Sequence, residues 1–375
     1  MRSIVVERAG ASRLASHLRK LGSRSVLVVT DAALGSSGPA TYMPRALECE
    51  DIQCRVFRDV QPRAQESIVE AAAQCARVGQ VDCIVGLGGG SSLDTAKIAA
   101  LLARSGESLA DVCGVDRARG PRLSLVLVPT TAGGGAEVSA RAVVTRRSGR
   151  CDFVVSPHLL ADVALLDATL TTASPPEITA ATGIAAMIRA IEAFTSPRLK
   201  NPISDSFACR ALDLLASNVH TACHNPDDIE ARERMLTGAC LAGMAFGNAP
   251  AAVVQALAHP LGAHFRVSDG VADALVFAQL MRFNLHSAAD LYAHLAGYVL
   301  PGITGTVASR AALLIAYFEA LPRSLGLPAR LRDVGAGDAD IEQLAADAMN
   351  EAPFLATSQR ELALDDVRGI YRATL

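Results

Sequence analysis

The chain contains no apolar run near the ~18 residues a membrane-spanning helix requires, no cysteine pair at C-x-x-C spacing and only a small net charge, −3. A membrane span is therefore not expected. The nine cysteines are scattered, which points to small buried residues and to neither a zinc knuckle nor a disulfide framework. The charge balance offers nothing to nucleic acid or to an anionic membrane surface. The first residues, MRSIVVERAGAS, place Glu7 and Arg8 where a signal peptide needs its apolar core, so a cytoplasmic protein is expected. Two common phosphate motifs are also missing. Counted from Gly86, the sixth position of G-x-G-x-x-G is Ser91, and no GK[ST] occurs.

The chain does have the composition of a globular protein, 50% hydrophobic and 19% charged over 375 residues, enough for two domains with buried cores. It also has the stretch VGLGGGSSLDTAK, Val85 to Lys97. Val81 to Val85 reads as a strand buried on both faces, and Leu93 to Leu102 carries apolar residues at helical spacing. Between them lie Gly86, Gly88, Gly89 and Gly90, then Ser91 and Ser92. A strand, a glycine turn and a helix start form an anion site, because the backbone can approach a phosphate and the first helical N–H groups point at it. A plain strand-to-helix connection needs fewer glycines.

Further strands are expected at Ser3 to Glu7, Ser25 to Thr30, Gln53 to Phe57, Leu123 to Val128 and Val163 to Asp167. Helices are expected at Ala11 to Leu21 and at about 65 to 78, and a hairpin around Ser148 and Gly149. The alternation implies a doubly wound parallel sheet, whose ligands lie beyond the carboxyl ends of the strands. Asp31 and the glycine loop both occupy such ends. From Ser174-Pro-Pro-Glu177, which has capping-box spacing, the pattern turns helical, with breaks near Pro197, Asn225, Pro250, Pro260, Pro301 and Pro322. A boundary near residue 172 separates an α/β domain, 1–172, from an all-helical domain, 173–375.

GGGSSLDTAK resembles the signature of the iron-containing (group III) alcohol dehydrogenase family, and the likeness runs along nearly the whole chain. It implies the dehydroquinate-synthase-like architecture: an α/β domain with a doubly wound sheet, then an all-α domain. It also implies a homodimer that binds NAD(H) and acts on a small alcohol, aldehyde or keto acid. The cofactor set is Asp31, Gly88, Gly89, Gly90, Ser91, Asp94, Lys97, Thr130, Thr131 and Ser139. In the family an acidic residue at Asp31 meets the ribose; a helix N-cap is the other reading of that residue. A 2′-phosphate there would meet a like charge, which favours NAD over NADP. Lys97 could reach a phosphate or pair with Asp94. Thr130 and Thr131 match the family's PTTAGTGSE, but Gly134 and Ala136 replace its Thr and Ser.

The family's metal ligands are an Asp and a His four residues later, then two further His. Here those positions hold Ala185, Arg189, Gln255 and Asp269, and a neighbouring family histidine survives as His259. No metal is therefore expected. Arg189 could pair with Asp269 or with Glu192, and either pairing could simply fill a dead site. The candidate catalytic set is Arg189 as electrophile, His259 as general acid, Asp269 and Gln255. A Lys common in the family aligns near Cys151, beside Arg150. A non-catalytic nucleotide-binding protein, and an elimination or isomerisation with a redox-silent cofactor, are the alternatives.

Overall fold

The computed structural model describes residues 3–37, 39–149 and 151–375. The chain divides into two compact units, Met1–Thr131 with Gly135–Ser174, and Ala132–Gly134 with Pro175–Leu375.

The first unit runs β1 (Ser3–Val6), α1 (Leu14–Lys20), β2 (Ser25–Asp31), α2 (Ala32–Ser37), α3 (Met43–Glu48), β3 (Gln53–Val60), α4 (Glu66–Val78), β4 (Cys83–Gly88), α5 (Gly90–Ser105), α6 (Leu109–Val112), β5 (Gly114–Val115), β6 (Ser124–Pro129), β7 (Arg141–Thr145), β8 (Cys151–Val155) and β9 (Val163–Leu166). Six strands form one sheet in the order β1-β9-β6-β4-β2-β3, every neighbouring pair parallel. Side chains alternate between its faces and both faces are covered, which is why the strands read as continuous apolar runs. Val26 and Val28 of β2 join Leu14 and Leu18 of α1 in one core. Leu27 and Val29 join Ala72 of α4 and Ala99 of α5 in the other. The expected hairpin is β7 and β8, antiparallel, with β5 on the far side of β8. The helix expected from Ala11 begins as a 3₁₀ turn, Gly10–Arg13, and Gly22 follows it in the left-handed region at φ 77°.

The second unit is helical: α7 (Pro176–Phe194), α8 (Pro202–His224), α9 (Ile229–Asn248), α10 (Val253–Phe265), α11 (Asp269–Val299), α12 (Val307–Ser324), α13 (Ile341–Met349), α14 (Ala352–Leu355) and α15 (Leu364–Thr374). Three expectations need correction. Ser174 does not cap α7: the helix starts two residues later, Pro175 is its N-cap, and the Ser174 hydroxyl donates to the Thr130 carbonyl at 3.1 Å. Proline at the first helical position holds, since its missing N–H would have had no partner there. Pro260 and Pro322 lie inside α10 and α12 and break neither. Buried Leu257 and Leu261 flank Pro260, so packing outweighs the one hydrogen bond a proline removes. Among the described residues no single helix is long and apolar enough to cross a membrane; α9 and α10 pass that test only as a pair bent by 114°.

Candidate functional site

In the first unit the carboxyl ends of β2 and β4 are neighbours, with Val29 in register with Gly86. Gly88 ends β4 at φ 143°, and a Cβ there would stand 2.6 Å from Ser92 Oγ. Gly89 is the N-cap of α5 and contributes no side-chain cap. Gly90, the first helical residue, has nothing within 4 Å of its would-be Cβ, and a Cβ on Gly89 would meet only Thr131, at 3.5 Å. Nothing in the protein demands glycine at position 90. The open space beside the first N–H groups of a helix of 16 residues is a cradle that fits a pyrophosphate. Ser91 borders it and accepts the Arg63 N–H on Oγ at 2.9 Å. Thr130 is buried and its N–H donates to the Gly88 carbonyl at 3.0 Å, which ties the second glycine turn to the first.

Asp31 does what a helix cap does. Its Oδ1 accepts the N–H groups of Ala33 and Leu34, both at 3.0 Å. It still stands at the carboxyl end of its strand.

Lys97 is a correction. Its side chain is fully buried, and Nζ donates to the Arg141 carbonyl at 2.9 Å and lies 3.4 Å from Asp94 Oδ1. Asp94 Oδ2 accepts the Val143 N–H at 3.0 Å, and Ser139 Oγ accepts the Arg141 N–H at 3.0 Å. Lys97 and Asp94 fasten α5 to β7, while the Ser139 bond stays within the turn that leads into β7. A buried ammonium needs every donor satisfied, and that requirement directs Lys97 inward rather than to a phosphate. Glu137, also fully enclosed, is pushed up to about 7 by burial, against the pull of Lys97.

In the second unit α7, α10 and α11 bring the other candidates together. Ala185 and Arg189 stand one turn apart on α7. The Arg189 guanidinium lies 5.1 Å from the centroid of the Phe246 ring. A Cβ on Gly134 would stand 2.5 Å from Arg189 Nε and 2.8 Å from Cζ. Nε is buried with no hydrogen-bond partner. On α10, Gln255 Oε1 and His259 Nδ1 are likewise buried without a hydrogen bond. His259 Nδ1 is 3.7 Å from Glu351 Oε1, and its ring meets Phe354 edge-on. Glu192 ties α7 to α10 by accepting the Val254 N–H at 3.0 Å. Asp269, exposed, opens α11.

One turn after Asp269 comes Asp273, which sequence reasoning missed. It is buried, and burial pushes it up to about 7; Arg189 and His259 pull it down and Asp269 pushes it further up. Its i, i+4 spacing from Asp269 was the available signal.

A divalent ion does not fit this arrangement. Among the described residues no three His, Cys, Asp or Glu side chains converge as a metal cluster. Ala185 has no donor atom, and Arg189 is permanently cationic. Cys151 lies opposite Thr145 across the hairpin, its Sγ 3.9 Å from Oγ1; Arg150 lies outside the described residues.

Two family profiles match the chain: "Iron-containing alcohol dehydrogenase" over residues 2–168 and "Fe-containing alcohol dehydrogenase family, C-terminal" over residues 179–375. The chain belongs to the iron-containing alcohol dehydrogenases. It is 35% identical over 371 residues to long-chain-alcohol dehydrogenase 1 of Geobacillus thermodenitrificans, covering 96% of this chain and 92% of that one. A 1,3-propanediol oxidoreductase has the same fold with a TM-score of 0.94 and 30% identity, covering 99% of this chain and 97% of that one. A sulfoacetaldehyde reductase from Bifidobacterium kashiwanohense, solved with NAD+, gives 0.89 and 27%, covering 99% and 96%. These relatives are, by name, a dehydrogenase, an oxidoreductase and a reductase.

Proposed function

We propose that this chain is an NAD(H)-dependent oxidoreductase that interconverts a small alcohol and its carbonyl compound without the family metal. The cradle at Gly89 and Gly90 supports dinucleotide binding, with Ser91, Thr130 and Thr131 at its rim. Asp31, negative at the end of β2, supports NAD over NADP. The bound nicotinamide supplies or accepts a hydride.

The observation that carries the metal-free reading is the placement of Arg189: a buried, unpartnered Nε–H beside a glycine whose side chain would exclude it. A fixed cation there polarises a carbonyl and stabilises the oxygen as it gains charge, the task a Lewis acid performs elsewhere. His259, on the neighbouring helix α10, donates the proton to that oxygen. Asp269 balances the Arg189 charge, and Gln255 offers an acceptor for the alcohol hydroxyl. The expected assembly is a homodimer, and edge strand β1 presents exposed Ile4 and Val6 for it.

NADH oxidation, screened over aldehydes and keto acids on chelator-treated protein, tests the proposal. Saturable turnover supports it. Recovery of activity only on adding iron or zinc overturns the metal-free reading, and conversion of substrate with no change in NADH overturns the redox reading.

A further inference from the structure

We propose that Arg189 holds a carboxylate of the substrate, so that the compound reduced is a small oxo acid and the compound oxidised a small hydroxy acid; this rests on the redox reading above. Three observations carry it. The guanidinium lies by the face of Phe246, which leaves its N–H edge for a ligand. Nε–H is buried and lacks an acceptor, a cost that a ligand oxygen removes. The guanidinium keeps this position because residue 134 has no side chain: a Cβ there would stand 2.5 Å from Nε and 2.8 Å from Cζ.

The fork geometry then selects the ligand. A lone carbonyl oxygen offers a guanidinium one acceptor site, whereas a carboxylate takes two parallel N–H groups with charge assistance. In a 2-oxo acid the carbonyl oxygen and one carboxylate oxygen are syn, so one fork meets both. On reduction the carbonyl carbon gains a hydride and its oxygen a proton, the C=O double bond becoming C–O with new C–H and O–H bonds, while the dinucleotide is oxidised. The new hydroxyl is the donor that buried Gln255 Oε1 lacks.

Two carboxylates oppose an incoming anion. Asp269 is exposed, so water and salt screen it. Asp273 is buried and keeps its proton up to about 7. At and below neutrality Asp273 therefore adds no full negative charge against an anion held by Arg189.

Calorimetric titration of the full-length protein with NADH present, using oxamate and its neutral counterpart oxamide, tests the inference alongside kcat/KM for glyoxylate against glycolaldehyde and for pyruvate against hydroxyacetone. Oxamate should bind at least about tenfold more tightly than oxamide, because only the carboxylate forms a charge-assisted pair with the guanidinium. Arg189→Gln should erase that difference, Arg189→Lys should retain part of it, and NADH affinity should not change in either variant. The oxo acids should exceed the neutral carbonyls in kcat/KM. Equal affinity for oxamate and oxamide, or equal kcat/KM for charged and neutral substrates, would overturn the carboxylate assignment while leaving the redox reading in place. Binding of NADH with no turnover of either class would overturn the redox reading itself.

Discussion

Gly134 and Arg189 are sterically coupled: a Cβ on the glycine would stand 2.5 Å from the guanidinium Nε, closer than two such atoms can approach. The guanidinium of Arg189 thus occupies the place that any side chain at position 134 would need.

Gly134→Ala should accordingly act like a mutation of Arg189. The added methyl displaces the guanidinium, and the loss of a preorganised electrostatic group costs about 10²–10³ in kcat. Arg189→Ala should fall in the same range, and the double variant should be little worse than either single one. Steady-state kinetics with NADH titration checks this: multiplied effects in the double variant would show that Gly134 and Arg189 act independently.

Gly90→Val tests the cradle. Nothing in the protein lies within 4 Å of the new Cβ, so thermal stability should stay near wild type. NADH affinity, read from fluorescence, should fall by at least about tenfold, since a side chain would fill the space a pyrophosphate needs. Unchanged affinity would place the dinucleotide elsewhere.

Asp31→Gly should narrow or reverse the preference for NAD over NADP by removing a like charge from the 2′-phosphate position. The same change removes the cap on α2, and Gly at a cap position costs only a few tenths of a kcal/mol. Kd values for both dinucleotides decide the point; tighter NADP binding by the wild type would remove Asp31 from the ribose role.

Asp273 should make stability depend on pH. The folded carboxyl holds its proton up to about 7, whereas the unfolded chain releases it near 3.8. Between those values the folded state binds more protons, so this group's contribution falls as pH rises through the window. Asp273→Asn should raise stability by about 1–3 kcal/mol near pH 8 and by much less near pH 4. Urea melts of both proteins at the two pH values measure it. Glu137 behaves similarly and cancels in the comparison. A gain that does not vary with pH would show that Asp273 is ionised in the fold.

Elemental analysis should find no stoichiometric iron or zinc, and chelators should leave activity unchanged. Restoring the ligand set with Ala185→Asp, Arg189→His, Gln255→His and Asp269→His should allow metal binding, measured by zinc titration. About one transition metal per wild-type chain, removable with loss of activity, would overturn the metal-free assignment.

The sequence by itself determined what is local or periodic. Continuous apolar strands, helical spacing and the glycine run suffice for the parallel sheet and the turn at Gly88 to Ser91, because neighbours within a few residues supply the physics. The family likewise lies in motifs, and it follows from GGGSSLDTAK and the framing residues of α7 and α10. Tertiary structure decided the partnerships. Lys97 turns inward because the Arg141 carbonyl, 44 residues away, receives it. Asp31 caps α2 because that helix begins at the next residue, Ala32. Asp273 is a single acid on an apolar stretch of α11, and only packing against α7 and α10 places it under the influence of Arg189 and His259. Gly134 looks in sequence like one more flexible residue of a glycine turn. Its absent side chain acquires meaning only where the fold brings a guanidinium from α7 against it.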